Sequence, residues 1–158
     1  MRLAPDDPEA AEQLASVFAD AGDAARLKPI ADALMARFPS REKSRYYRAT
    51  LLVLEGRAQE AVEEARVVAG RTPNDSHAQN LLGVACATAG QRDCALAAFN
   101  AAAAANPLDP ATYVNLGVFH MQGANAAEAA ANFSVALTLD RSSAAAKQGL
   151  ADAHAAMR

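Results

Sequence analysis

Three prolines, Pro39, Pro73 and Pro107, stand 34 residues apart, and Gly22, Gly56 and Gly90 keep the same step. Each proline follows an alanine-rich stretch, and a proline cannot extend a helix, because it lacks the backbone N–H and its ring clashes with the preceding turn. The step recurs in Ala49, Gly83 and Gly117, in Ala61, Ala95 and Ala129, in Val68, Ala102 and Ala136, and in Phe99 with Phe133. A chain written in units of this length folds as a row of similar units. One unit cannot bury its apolar stripe alone, so neighbours share it. Composition supplies the secondary structure: 43 of the 158 residues are Ala, the residue with the lowest helical cost, and Trp is absent.

Each unit reads as a helical hairpin. Two antiparallel helices approach closely only where small residues sit at the crossing, which Gly83 with Ala95 and Gly117 with Ala129 supply, while Leu82, Phe99, Leu116 and Phe133 fill the space beside them. Helix starts are predicted at Asp7-Pro8, Asp75, Asp109-Pro110, and Ser142 or Ser143, where a short polar side chain can accept from the free N–H groups of the first turn. Turns inside the units fall at Gly22-Asp23, Gly56-Arg57, Gly90-Gln91 and Gly123-Ala124-Asn125. In the last of these the glycine is displaced by one residue, and Arg141 stands where the other units have proline. A slightly different turn and a longer or more helical final connection are therefore expected.

This pattern resembles the tetratricopeptide repeat, a 34-residue helix-turn-helix unit. Leu82, Gly83, Ala95, Phe99, Ala102 and Pro107 carry the likeness in residues 76–109, and Tyr113, Leu116, Gly117, Ala129, Phe133 and Ala136 carry it in 110–143. Residues 8–41, with Leu14, Ala15, Phe18, Leu34 and Pro39, and residues 42–75, with Ala49, Leu52, Ala61, Val68 and Pro73, are looser copies. The resemblance implies an all-α protein, a right-handed α-solenoid of four repeats closed by a C-terminal capping helix at 144–158, with 1–158 as a single domain. Leu150 and Met157 are expected to cover the last hairpin, leaving Lys147, Gln148, Asp152 and Arg158 in water. At the other end, either Glu9, Glu12 and Gln13 solvate the first unit or the chain is a segment of something longer.

Several function classes are disfavoured. A net charge of -3 lacks the basic excess of a nucleic-acid or anionic-membrane binder. No apolar stretch reaches the roughly 18 residues of a membrane span, and Met1-Arg2-Leu3 runs into Pro5-Asp6-Asp7 rather than a signal-peptide core. A soluble protein of cytoplasm or periplasm is expected, with no membrane insertion by this segment. His77, His120 and His154 fall in three different units without metal-ligand spacing, and no phosphate loop or nucleophile motif is present. No metal, cofactor or catalytic activity is expected, and His120 reads as a packed, hydrogen-bonded residue. Cys86 and Cys94 read as two independent thiols, the first buried and the second marginal. The alternative is a disulfide closing their hairpin, which requires suitable Cβ geometry and an oxidising compartment. Residues 26–71 carry ten bases against six acids, with Arg37, Arg41, Lys43, Arg45 and Arg48 clustered at the first unit junction. A solvated surface is expected there and an acidic partner is the alternative. Arg48 occupies a place that is apolar in the resembling family; its long stem can pack while its head reaches water.

By the same resemblance the first helices of successive units line a concave groove, which is the working surface. The first unit would bring Glu9, Glu12, Gln13, Ser16 and Asp20 to it. The expected partner contacts come from the other three: Lys43, Tyr46, Tyr47 and Thr50, then His77, Asn80 and Val84, then Asn115, Val118, Met121 and Gln122. Tyr46 and Tyr47 offer large contact area at low rotamer cost, Asn80 and Asn115 can each donate to and accept from a peptide backbone, and Val84, Val118 and Met121 offer an apolar floor. The lysine and asparagine clamp with which some relatives grip chaperone C-termini is absent, since Glu12, Ser16, Thr50, His77 and Leu81 hold those places. The implied function is a non-catalytic scaffold or adaptor that binds a protein or peptide segment, in bacterial pilus, secretion or exopolysaccharide assembly. A regulatory or substrate-docking module of a larger enzyme is the alternative. Self-association through the N-terminal end is a third reading.

Overall fold

A computed structural model describes residues 7–158, so the acidic lead and the N-terminal reading of residues 1–6 lie outside the described residues. The described residues form nine α-helices and no strand: α1 (Pro8–Asp20), α2 (Ala24–Arg37), α3 (Glu42–Leu54), α4 (Ala58–Arg71), α5 (Ser76–Thr88), α6 (Arg92–Ala105), α7 (Pro110–Gln122), α8 (Ala126–Leu139) and α9 (Ala144–Ala156). The odd-numbered helices begin 34 residues apart. Asp7, Asp75 and Asp109 cap α1, α5 and α7, accepting from the N–H groups of Glu9 at 2.9 Å, His77 at 2.8 Å and Ala111 at 3.0 Å. Ser143 rather than Ser142 caps α9, accepting from Ala146 at 3.2 Å. Asp23, in sequence only a turn residue, caps α2 through the Arg26 N–H, and that bond together with the Arg26 guanidinium holds its carboxyl below the usual range.

The fourth unit corrects two expectations. Its last connection is neither longer nor more helical: residues 140–143 separate α8 from α9, as 106–109 separate α6 from α7. Asp140 takes over from the missing proline, accepting from the Ser142 N–H at 2.9 Å and from its hydroxyl at 2.6 Å. Its internal turn keeps the same backbone path with a different residue. Gly22, Gly56 and Gly90 adopt φ of 65°, 72° and 72°, and Ala124 takes that left-handed place at φ 58°.

The hairpin crossings follow a compensation visible along the chain. Where the first helix offers Ala15 or Ala49, the second answers with Ala31 or Ala65; where it offers Gly83 or Gly117, the second answers with Phe99 or Phe133. The six of these residues other than the two glycines are at most 1% exposed, so each crossing is filled either by two small side chains or by one ring against bare backbone. Phe133 meets a second glycine, Gly149 of α9. That glycine with Ala146 and Ala153, both fully buried, and partly buried Leu150 closes the stack. Met157, expected to help, is instead 48% exposed, because it lies past the end of the helical face that α8 covers.

Curvature comes from which helices touch. Each odd-numbered helix contacts the next odd one, whereas no even-numbered helix approaches another even one among the described residues. The odd helices therefore form an inner row and the even ones fan apart behind them.

Two further corrections concern side chains. Cys86 and Cys94 are not independent thiols: a disulfide joins them, with Cα atoms 5.8 Å apart, linking α5 to α6 within one hairpin. The basic cluster is largely neutralised within the chain. Arg45 and Arg48 of α3 converge on Glu64 of α4, at 2.7 and 3.4 Å, which accounts for an arginine where an apolar residue was expected.

Candidate partner-binding groove

A cavity of about 670 Å³ opens along the inner row. Every residue lining it comes from α1, α3, α5 or α7, or from the cap of α5. This follows from the periodicity of each helix. One face of an odd helix packs on its own hairpin partner, the flanking faces meet the neighbouring odd helices, and the remaining stripe is left free.

Eight of the eleven predicted contact residues line this cavity: Lys43, Tyr46, Tyr47, Thr50, His77, Asn80, Val84 and Asn115. Val118, Met121 and Gln122 do not. They lie toward the C-terminal end of α7, where Met121 packs with Leu150 against the Phe133 cluster, Val118 is 44% exposed and Gln122 faces solvent. They keep the repeat phase of Val84, Ala87 and Thr88, but the cavity ends at Asn115, before the last turns of α7. Ser16, Asp20 and Asp75 also line the cavity.

The eight differ in what they are free to do. Tyr47 is only 6% exposed, packed with Leu27, Leu34 and Leu51 between the first two hairpins. Its ring is core. Tyr46 meets it edge-on with centroids 5.5 Å apart, packs both on the core of Leu27, Leu34 and Leu51 and on the next core around Leu52, Leu81 and Phe99, and also lines the cavity. Burial above all, then Tyr47, then the carboxylates of Asp20, Asp75 and Asp109, push the Tyr46 hydroxyl up to about 12. Asn80 is 8% exposed and its amide already works inside the protein. Its NH2 donates to Thr112 Oγ1 at 2.6 Å and to Asp109 Oδ2 at 3.2 Å, tying α5 to the start of α7. The NH2 expected to meet a partner's backbone is thus committed, while its Oδ1 is buried without a partner. Asn115 keeps its amide without any hydrogen bond among the described residues.

The charge expected at the first-unit end of the groove also changes. Glu12, expected to solvate the N-terminal end, is 3% exposed and accepts from Arg41 at 2.7 Å, with the Lys43 ammonium 3.5 Å away. It pins α1 to the start of α3, and the two bases are its counter-ions. The charged groups left on the cavity wall are Asp20, Glu42 and Asp75 against Lys43, with His77 exposed at the rim. His120, expected to be hydrogen-bonded, stacks edge-on to Phe119 with centroids 5.4 Å apart, and its buried Nδ1 has no partner. Among the described residues no group of three or more His, Cys, Asp and Glu is arranged to hold a metal, and no helix is long and apolar enough to cross a membrane.

No family model matches the chain, and no curated protein matches it in sequence. Solved structures do match it in shape. The thermophilic TPR protein TTC0263 of Thermus thermophilus superposes with a TM-score of 0.83 at 21% identity, over 96% of this chain and 84% of that one. MamA, residues 41 to the end, from Desulfovibrio magneticus RS-1 gives 0.67 at 24% identity, over 87% of this chain and 78% of that one. The Cut9–Hcn1 hetero-tetramer of APC/C gives 0.80 at 19% identity, covering 95% of this chain but only 29% of that one. Paired helices in a 34-residue phase, packed on one another as an inner and an outer row, and superposing on these proteins, establish that this chain has the tetratricopeptide-repeat fold.

Proposed function

We propose that this protein is a non-catalytic scaffold that holds a segment of a partner protein in the cavity of its inner row. The observation that carries this reading is the cavity itself. Residues of four successive odd-numbered helices line it with a tyrosine face, apolar Val84 and the unengaged amide of Asn115. An extended peptide matches such a surface, because its own N–H and C=O groups can pair with side-chain amides while its side chains cover the tyrosine. Tetratricopeptide proteins of known structure share the frame that produces the groove. The setting in bacterial pilus, secretion or exopolysaccharide assembly rests on the short alanine-rich units alone.

The test is site-specific photocrosslinking in the native host. A photoreactive residue at Thr50, in the groove, should capture one partner whose crosslinked peptide is a single continuous segment. The same residue at Val67, exposed on α4 behind the groove, should not. Capture from Val67 with none from Thr50 would discard the groove as the working surface.

A further inference from the structure

Three residues that line the cavity around Tyr46 keep a hydrogen-bond acceptor unused. Asp75 engages Oδ1 in the cap of α5 and leaves Oδ2 without a hydrogen bond among the described residues. Among the described residues Asp20, at the end of α1, accepts only from the Ser16 hydroxyl, at a long 3.5 Å. Asn80, more than nine-tenths buried in the same wall, has used its donors and keeps an unpaired acceptor, Oδ1. All three residues line the cavity beside the Tyr46 ring, and the carboxylates of both Asp20 and Asp75 act on its hydroxyl. Two carboxylate acceptors therefore stand on a volume with an aromatic wall, while the unpaired Asn80 Oδ1 lies enclosed within that wall. A group that complements this has several donors, no acceptor, a positive charge and an affinity for a ring face, and among protein side chains only arginine and lysine combine these. The rim cation Lys43 is already paired, its ammonium standing 3.5 Å from the Glu12 carboxylate.

Resting on the groove reading above, we propose that the bound segment is basic, with an arginine or lysine side chain seated against Tyr46 between Asp20 and Asp75. Charge complementarity selects this occupant: the cavity wall carries three carboxylates against one lysine, with histidine counted neutral. It reverses the polarity of a lysine-rich clamp built for carboxylate-ended peptides.

The experiment uses the full chain and a phage library of short random peptides, followed by fluorescence anisotropy on the enriched sequences. Three proteins are compared: wild type, the double variant Asp20→Asn with Asp75→Asn, and Asn115→Trp, which fills the groove. Asparagine also caps helices, so the charge is removed from Asp75 while α5 keeps its start. Circular dichroism confirms that each variant is folded. The expected result is enrichment of peptides with a shared arginine or lysine, whose replacement by glutamine weakens binding about tenfold, in the range of one charge-assisted hydrogen bond with a cation–π contact. The double asparagine variant should lose affinity by a similar factor, and Asn115→Trp should abolish it. Peptides that Asn115→Trp blocks but that lack a cation, or bind the double variant equally well, would overturn the basic-segment inference and leave the groove standing. Peptides indifferent to Asn115→Trp, or no enriched peptide at all, would overturn both.

Discussion

Gly117 lies flat beneath the ring of Phe133, so close that a Cβ added to it would stand 2.6 Å from Cε1. Gly83 and Phe99 repeat the arrangement one unit earlier, where an added Cβ would stand 2.9 Å from Cγ. Both rings are buried to 1% exposure, so neither can swing aside into solvent. Gly83→Ala should therefore destabilise the fold by about 1–3 kcal/mol, the cost of overpacking a filled crossing. The first two units show the remedy, since there alanine faces alanine. Gly83→Ala combined with Phe99→Leu should be less unstable than the sum of the two single variants in urea melts. Simple additivity would show that the crossing is not what couples them.

Two asparagines on the same groove should behave differently. Asn80→Ala removes the donor that Thr112 and Asp109 share and should cost about 1–2 kcal/mol of stability. Asn115→Ala removes no internal hydrogen bond and should stay within about 0.5 kcal/mol of wild type. Thermal melts of the two variants check this. Equal stability would mean that the Asn80 bridge contributes nothing.

The burial of Tyr46 predicts an alkaline effect. Its hydroxyl ionises near pH 12 in the fold against 10.0 in the unfolded chain. The folded state therefore holds the proton more tightly. The contribution is complete below pH 10 and is lost as pH rises through 12, up to about 2–3 kcal/mol. Tyr46→Phe keeps the ring and removes the titration, so its stability should fall less steeply than that of wild type across this window. Identical slopes would place the Tyr46 hydroxyl in ordinary solvent.

Ala124 carries the left-handed backbone that glycine carries in the other three hairpins. That conformation costs an L-residue roughly 1 kcal/mol through the clash of Cβ with the following carbonyl. Ala124→Gly should recover part of this, raising the melting temperature by a few degrees in differential scanning calorimetry. The neighbouring Gly123→Ala should cost no more than about 0.5–1 kcal/mol, because the group crowding it is the flexible end of Arg92, which would give up its place 4.6 Å over the Phe119 ring.

The Cys86–Cys94 disulfide predicts no free thiol in denatured, unreduced protein taken from an oxidising compartment. Closing a loop with a sequence separation of 8 removes about 2.5 kcal/mol of unfolded-state entropy. Reduction should lower the melting temperature and leave the helical signal below the transition intact. Two titratable thiols would refute the bond.

The phase of 34 residues, the aspartate and serine caps, and the small-residue crossings with their neighbouring phenylalanines are all legible in the order of residues along the chain. Each is set within one helix or one hairpin, where backbone geometry fixes who meets whom. The eight predicted residues that line the cavity follow from the same phase. Glu12 with Arg41 and Asn80 with Thr112 are not legible in this way. Those partners sit 29 and 32 residues apart in different units. They meet only because apolar packing sets the rotation of one helix against the next; where the cavity ends, at Asn115 and short of Val118, Met121 and Gln122, is likewise not written in the repeat phase. Helical periodicity says which stripe is free; the packing angle says which polar groups within it have already found a partner, and so which acceptors remain for something else.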